Sequence, residues 1–285
     1  MSEPEEAWNW AMDRQDQLSP EIDTTKPSIS RVYDYLLGGK DNFAVDREVG
    51  EMALRIAPDA KAAGQANRRF LRRVVRHLTA EAGIRQFLDL GSGLPSQGNV
   101  HEVAQEADPS ARVVYVDNDP IVLAHGRAVL AAGGNTAVIQ ADVREPEAIL
   151  RHPRVREFID FSRPVGLLLF SILHHFNDDE DPAGVAATLR DALPSGSHVA
   201  LSHFCNPGAA HPEAAEQALA AEKVFNDNLG TGRWRTREEI LAYFGDLDVL
   251  EPGLVPLAEW RPEPGDTFDR TLTYYTYVGG VARKA

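Results

Sequence analysis

Short apolar runs alternate with helical patterns along residues 86–202, and this alternation constrains the fold more than any other feature of the chain. The apolar runs predict strands over residues 86–90, 112–116, 137–140, 165–170 and 198–202. The intervening segments predict helices around residues 97–106, 121–132, 145–158 and 182–192. Parallel strands need crossover connections, so we predict an α/β fold with helices on both faces of a parallel sheet. The continuous apolar run at 165–170 is typical of a central strand that is buried on both faces.

Three helical patterns precede this region, over residues 28–37, 45–56 and 60–80. The third pattern has an apolar face opposite five arginines, which are Arg68, Arg69, Arg72, Arg73 and Arg76. These arginines could form a phosphate-binding face or a solvated face, and we favour the second interpretation. Asn67 projects onto the apolar side, where its amide needs hydrogen-bond partners. We therefore take Asn67 as a candidate site residue.

The alternation ends after residue 202. Residues 206–245 predict a helical insertion, and two further strands are predicted over 248–255 and 270–281. The total is seven strands in a mostly parallel sheet that ends in an antiparallel hairpin. We expect three parts in the chain: an acidic flexible tail over 1–23, an N-terminal helical lid over 24–82 and a sheet domain over 83–285.

The charge of the chain disfavours several classes of partner. Its 29 basic and 43 acidic residues give a net charge of −14, which opposes a broad contact with nucleic acid or an anionic membrane. The longest apolar run, at 165–173, is too short to span a bilayer, and the N-terminal sequence lacks the pattern of a signal peptide. Cys205 is the single cysteine, which excludes an intramolecular disulfide, and the histidines show no metal-ligand spacing. We expect a cytoplasmic protein without a metal.

Acidic residues stand at three successive predicted strand ends. Asp89 precedes a Gly91-Ser92-Gly93 turn, and Asp117 and Asp142 follow the second and third strands. Ligands of parallel sheets bind at these ends, where a carboxylate accepts hydrogen bonds from ribose hydroxyls. A dinucleotide fingerprint requires a third glycine, but Ser96 occupies that position. Asp89 would repel a pyrophosphate and attract an amine, so we favour an adenosine-bearing ligand that carries a positive charge.

These residues resemble the class I S-adenosylmethionine-dependent methyltransferases. The resemblance rests on segments 88–93, 116–120, 141–143 and 170–175, and it implies a Rossmann-like sheet. The block at 27–43 resembles the signature of an actinobacterial family of uncharacterised S-adenosylmethionine-dependent methyltransferases. Pro95 departs from the class pattern, because it occupies the last position of the expected Gly-x-Gly-x-Gly turn.

The resemblance implies a role for each matching position. Asp89, Gly91, Ser92 and Gly93 would surround the methionine part of the cofactor, and Phe170 and Ser171 would lie near its sulfonium. Asp117 would hold the ribose, Asn118 would flank the adenine, and Asp142 with the Val143 backbone would read the adenine edge. Tyr33, Gly39, Asn42 and Phe43 would help to close the site over the cofactor, and Asn67 is added from the helical pattern above.

The function we expect is direct in-line methyl transfer from S-adenosylmethionine to a small-molecule acceptor, with neither nucleic acid nor membrane as a partner. His174 and His175 follow the fourth strand, where they would serve either as a general base or as packing residues. Two alternatives stay open at this point. The first is a sensor that binds S-adenosylmethionine or S-adenosylhomocysteine without turnover, and the second is an NAD(P)-dependent oxidoreductase.

Overall fold

The computed structural model describes residues 22–95, 98–130 and 134–285. Most of the predicted acidic tail, residues 1–21, lies outside the described residues, as does Ser96. The strands are β1 Gln86–Leu90, β2 Arg112–Asp117, β3 Thr136–Gln140, β4 Gly166–Phe170, β5 His198–Phe204, β6 Asp248–Val249, β7 Val255–Pro256 and β8 Tyr277–Arg283. The α-helices are α1 Ile29–Leu37, α2 Ala44–Ile56, α3 Ala60–Ala80, α4 Val100–Ala107, α5 Pro120–Leu130, α6 Pro146–Arg151, α7 Pro153–Phe158, α8 Pro182–Asp191, α9 Pro212–Leu229, α10 Arg237–Ala242 and α11 Leu272–Tyr275.

The described strands form one sheet in the order β3-β2-β1-β4-β5-β8-β6, and β7 also pairs with β8. The pairs among β1 to β5 are parallel, whereas β8 runs antiparallel to β5, β6 and β7. This confirms the predicted α/β fold with a mostly parallel sheet and antiparallel C-terminal strands. The strand order reverses between β1 and β4, and such a reversal opens a crevice at the carboxyl ends of parallel strands.

The C-terminal strands differ from the prediction in number and in position. The strand predicted over 248–255 is two strands of two residues each, so the sheet has eight strands rather than seven. The strand predicted over 270–281 begins only at Tyr277, because α11 occupies the preceding residues. Strand β5 ends at Phe204, which pairs with Tyr277, so the residues before Tyr277 have no neighbouring strand to pair with. The alternation of Thr and Tyr side chains there was therefore misleading.

Strand β4 lies at the centre of the core, as its sequence predicted. Leu167 and Leu169 pack on one face of the sheet against helix α8, whereas Leu168 packs on the other face beside Phe70 of α3. Phe70 meets the ring of Phe170 edge-on, with ring centroids 5.5 Å apart. Helix α3 is thereby fixed against the carboxyl end of β4, where the crevice opens.

Two helices between the strands also differ from the prediction. The helix predicted over 145–158 is split into α6 and α7 at Pro153, whose ring nitrogen has no N–H to donate. The helix predicted over 97–106 begins at Val100, after the N-cap Asn99. In the part of the chain that the structure describes, we find no helix with the length and apolar character that crossing a membrane requires.

Helices α1, α2 and α3 form the predicted N-terminal helical part, and a buried ion pair joins the first two. Arg31 Nε lies 3.0 Å from Asp46 Oδ2, and both side chains are buried. Asp46 also accepts hydrogen bonds from the backbone N–H groups of Ser28 and Phe43. The Ser28 hydroxyl in turn donates to the carboxylate of Asp119, which follows β2. This chain of contacts holds the start of α1 against the carboxyl edge of the sheet.

Candidate functional site

A cavity of about 190 Å³ lies between the carboxyl ends of β1 to β4 and the helices α1, α2, α3 and α9. A single buried water needs roughly 10–15 Å³, so the cavity has room for an organic ligand. The sheet side is polar, and its lining includes Asp89, Gly91, Ser92, Gly93, Asp117, Asn118, Asp142, Val143, Phe170 and Ser171. The cavity therefore brings together every predicted site residue that lies at a strand end.

The glycine turn after β1 is pinned to the end of β2. The backbone N–H groups of Gly91 and Ser92 both donate to the carbonyl oxygen of Val116, at 2.8 and 3.2 Å. Gly91 and Gly93 have φ angles of 69° and 67°, in the left-handed region that favours glycine. A Cβ atom at Gly93 would meet no other heavy atom within 4 Å, so this glycine faces open space. Pro95 replaces the last glycine of the class pattern, and Gly91 and Gly93 before it adopt these left-handed angles.

Asp117 is held by the same turn. One oxygen of its carboxylate accepts the N–H of Gly93 at 2.8 Å, and the other accepts the N–H of Asp119 at 3.0 Å. Each carboxylate oxygen keeps a lone pair for a further donor. Burial raises the pKa of Asp117 to about 6, although the backbone donors oppose the shift. The side chain is thus a fixed hydrogen-bond acceptor at the end of β2.

Asp89 also lies in the cavity wall, but the described residues give its carboxylate no backbone donors of the kind that stabilise the Asp117 carboxylate. Burial raises its pKa to about 7, the nearby carboxylate of Asp117 adds to the rise, and the guanidinium of Arg68 opposes it. A carboxylate that is costly to ionise in this way is stabilised by any cation that enters the cavity.

The third predicted acid completes the same edge. Asn118 Nδ2 lies 3.5 Å from Asp142 Oδ2, so the two side chains stand together after β2 and β3. The Asp142 carboxylate also accepts a hydrogen bond from the backbone N–H of Arg144 and forms an ion pair with the Arg144 guanidinium. Val143 follows in the cavity lining, and its side chain is buried.

A buried polar cluster separates this sheet edge from the helices. Asn67 Nδ2 donates to Ser171 Oγ at 2.7 Å and to the Tyr33 hydroxyl at 3.2 Å. The Ser171 hydroxyl also meets that of Tyr277, and Ser171 has a φ angle of 58°, which is rare for a residue with a side chain. The other amide atom, Asn67 Oδ1, is buried and has no hydrogen-bond partner among the described residues. The predicted residues Tyr33, Asn67 and Ser171 are thus in contact, and Tyr277 is a member that the sequence did not reveal.

Part of the helix side of the cavity is apolar. We call it the apolar chamber, and its walls are Val32, Leu36, Ala53, Ala57, Ala60, Phe204, Ala218, Ala221, Phe225, Leu229 and Trp234. The rings of Phe204 and Trp234 are stacked, with centroids 4.2 Å apart, and Phe225 meets Trp234 edge-on. The small alanine side chains of α2, α3 and α9 leave the space that these rings border. Sequence analysis missed Phe204, although its place at the end of a predicted strand was a usable signal.

His174 and His175 line the boundary between the two sides, and both rings are buried. Burial lowers the pKa of His174 well below its usual value and that of His175 to about 3. His174 Nδ1 lies 3.2 Å from the backbone nitrogen of Phe204, which can only donate, so the proton of this neutral ring is on Nε2. The His174 ring also stacks on Phe204 at 3.6 Å. This geometry favours the packing interpretation over a general base.

Three of the residues predicted to close the site lie outside the cavity lining. Asn42 donates to the Asp34 carboxylate at 2.8 Å and to the carbonyl of Gly39 at 3.1 Å. Phe43 precedes α2, and its ring lies beside the guanidinium of Arg31. Gly39, Asn42 and Phe43 thus shape the connection between α1 and α2, whereas Tyr33 reaches the cavity itself.

The arginines of α3 do not form one solvated face, as we had favoured. Arg73 is buried and donates to the backbone carbonyls of Trp260 and Leu257 at 2.9 and 2.6 Å. Arg68 lines the cavity, whereas Arg69 is exposed. Helix α3 packs between the sheet and the segment around Trp260, and this position gives its arginines three different environments.

Comparisons with known proteins identify a family and two similar crystal structures. A family model described as S-adenosyl methyltransferase matches residues 15–285. The crystal structure of a candidate methyltransferase from Thermobifida fusca YX is 48% identical in sequence, with a TM-score of 0.87 over 93% of this chain and 97% of that chain. A DUF574 family protein from Streptomyces avermitilis MA-4680 is 38% identical, with a TM-score of 0.86 over 92% and 99% of the two chains. No curated protein matches the sequence.

Proposed function

This chain belongs to the S-adenosyl methyltransferase family and is an S-adenosylmethionine-dependent methyltransferase, and from that premise we propose that its acceptor is an uncharged small molecule with an apolar or aromatic body. The observation that carries the proposal is the continuity of one cavity from the carboxylate-lined sheet edge to the apolar chamber. A ligand at the first side and an acceptor at the second would meet at the polar cluster of Tyr33, Asn67, Ser171 and Tyr277.

The residues of the sheet edge fit S-adenosylmethionine. Gly93 leaves open space where a side chain would obstruct a ligand. Asp117 keeps lone pairs for two ribose hydroxyls, and Asn118 with Asp142 supplies hydrogen-bonding groups for an adenine edge. Asp89 supplies a carboxylate whose ionised form gains from a nearby ammonium. We propose these residues as the cofactor-binding set.

Bound S-adenosylmethionine supplies an activated methyl group, which an acceptor nucleophile takes by in-line displacement. The protein's contribution would be to hold the acceptor in line and to exclude water. Phe204, Phe225 and Trp234 offer flat ring surfaces for an aromatic acceptor, and the alanines beside them leave space for its body.

The chamber favours an acceptor that needs no side-chain base. Its walls carry no formal charge, and burial would keep the rings of His174 and His175 neutral and weakly basic. Burial also raises the pKa of Tyr33, so its hydroxyl stays protonated and donates a hydrogen bond. We therefore propose a nucleophile that attacks with its own lone pair and loses any proton to bulk water after the product leaves the site.

The test combines binding with methyl transfer. Calorimetry would measure the binding of S-adenosylmethionine, S-adenosylhomocysteine and NAD to the purified chain. The chain would then be incubated with methyl-labelled S-adenosylmethionine and a metabolite extract separated by polarity. We expect the two sulfur ligands to bind and label to enter neutral, apolar fractions. Tight binding of NAD alone would exclude the cofactor assignment, and label confined to charged fractions would exclude the acceptor class.

A matched pair of variants ties the transfer to the chamber. Trp234→Ala removes one of the two stacked rings, and we expect it to reduce labelling at least tenfold while S-adenosylhomocysteine binds as before. Leu219→Ala alters an exposed side chain on α9 and serves as the control. Equal labelling by both variants would show that the aromatic wall does not hold the acceptor. Binding without any transfer from either variant or the unchanged chain would point to a sensor instead.

A further inference from the structure

Arg68 is a cavity-lining cation that none of the described carboxylates neutralises. Its side chain lies in the cavity wall, and no Asp or Glu oxygen of the described residues lies within 4.0 Å of it. Its one hydrogen bond to the described residues is long, 3.4 Å from a terminal guanidinium nitrogen to the Gly98 carbonyl oxygen. None of the described residues provides a hydrogen-bond partner for the buried Nε atom. A half-buried guanidinium with so few partners has donors to spare.

The other cations near this site are already paired. Arg144, which also lines the cavity, lies 3.2 Å from Asp142 and 2.5 Å from Glu180. Arg73 is engaged by two backbone carbonyls, and Arg76 forms an ion pair with Glu263. Arg68 therefore differs from its neighbours in facing the cavity without an anion.

Asp89 is an acidic group that likewise lacks an ion-pair partner in the described part of the chain. Its carboxylate lines the same cavity, is buried, and forms neither an ion pair nor a side-chain hydrogen bond with the described residues. Arg68 is near enough to lower the pKa of Asp89 by its charge, although the two do not form a direct ion pair. The same cavity wall thus contains one positive group and one negative group that form no ion pair with the described residues, and this pair of charges is complementary to the zwitterion of an α-amino acid.

We propose that Arg68 binds the α-carboxylate of the methionine part of S-adenosylmethionine while Asp89 receives its ammonium. This inference rests on the proposed cofactor site. A guanidinium donates two parallel N–H groups to the two oxygens of a carboxylate, which a lysine at this position would not do. The position of Arg68 next to Asn67 on α3 also explains why the helical lid, and not the sheet alone, would contribute to cofactor affinity.

The test uses two ligands that differ in the amino-acid part. S-adenosylhomocysteine carries the zwitterion, whereas 5′-methylthioadenosine lacks it and keeps the adenosine and the sulfur. Calorimetry would measure both ligands against the unchanged chain, Arg68→Ala and Arg69→Ala. The Arg69 side chain is exposed on the same helix and is the matched control. We expect Arg68→Ala to weaken the binding of S-adenosylhomocysteine about 10- to 100-fold and that of methylthioadenosine less than threefold.

Each outcome separates this inference from the cofactor assignment. Equal weakening of both ligands by Arg68→Ala would show a structural role and overturn the carboxylate assignment, as would unchanged binding of S-adenosylhomocysteine. Failure of the unchanged chain to bind either ligand would instead overturn the cofactor site itself. Arg68→Lys provides a second variant that keeps the charge. We expect its affinity for S-adenosylhomocysteine to lie between those of the unchanged chain and Arg68→Ala. Retained affinity for methylthioadenosine shows that both variants fold.

Discussion

Asn67 Nδ2 donates a 2.7 Å hydrogen bond to Ser171 Oγ, across 104 positions of the sequence. The bond joins helix α3 to the residue that follows β4, next to Phe170. Ser171 adopts a left-handed backbone conformation at that point, and such strain persists only where surrounding contacts hold it. The relationship couples the position of the N-terminal helices to the edge of the sheet that lines the cavity.

Substitution of Asn67 should therefore affect stability and binding together. Asn67→Ala removes the bonds to Ser171 and Tyr33, and we expect it to lower the free energy of unfolding by about 1–3 kcal/mol. We also expect weaker binding of S-adenosylhomocysteine. Urea unfolding and calorimetry would measure the two effects. Gln65→Ala, at an exposed position of α3, is the control, and equal effects of both variants would contradict a linking role for Asn67.

The affinity for S-adenosylhomocysteine should depend on pH through Asp89. Its pKa is about 7, so below that pH the Asp89 carboxyl must lose a proton before it can pair with the ammonium of the ligand. We expect the association constant to fall towards tenfold per pH unit below pH 7, and to rise by only about twofold between pH 7 and 8. Methylthioadenosine has no ammonium, so its affinity should fall only below about pH 6, where Asp117 is protonated. Identical pH profiles for the two ligands would contradict this assignment.

Asp89 should also lower the stability of the ligand-free protein at higher pH. Its folded pKa of about 7 is above the ordinary value of 3.8, so the folded state binds more protons between these values. Stability is then lost as pH rises from about 4 to 7, by at most about 4 kcal/mol. Asp89→Asn removes this penalty, and we expect its gain in melting temperature to be larger at pH 8 than at pH 5. A gain that is equal at both pH values would rule out ionisation as the cause.

Three buried histidines should remain neutral in the physiological range. Burial lowers the pKa of His175 and His203 to about 3 and that of His174 well below its usual value. We expect their ring signals in NMR spectra to stay unchanged between pH 5 and 8, with each signal assigned from a His→Gln variant. Free imidazole in the same sample reports the pH. A midpoint between pH 6 and 7 for His174 or His175 would restore the general-base interpretation.

The buried pair of Arg31 and Asp46 should contribute strongly to the stability of the N-terminal helices. Arg31→Met leaves the Asp46 carboxylate buried without its cation, and we expect a loss of about 3 kcal/mol in urea unfolding. The double variant with Asp46→Asn should recover part of that loss. Lys26→Met breaks an exposed contact with Asp23 and should cost less than about 1 kcal/mol. A similar cost for Arg31→Met and Lys26→Met would show that the buried pair is not a main contributor.

The sequence was most informative where a pattern repeats along one element. The spacing of apolar residues predicted α1, α2 and α3 within one or two residues, and the apolar runs predicted the five parallel strands. Patterns that depend on a distant neighbour were less informative. The alternation before Tyr277 resembles a strand, but a strand needs a partner, and β5 ends at the residue that pairs with Tyr277.

The sequence by itself determined the parallel sheet, the glycine turn and the acids at its strand ends, because each of these depends on residues close together in the chain. The tertiary structure decided which side chains share the cavity. It placed Arg68 in the cavity wall and Arg73 in the core, although both are arginines of one helix. It also brought Tyr277 to Ser171 and closed the apolar chamber with Phe204 and Trp234. Those contacts join segments that are far apart in sequence, and only the packing of α3 and α9 against the sheet edge fixes them.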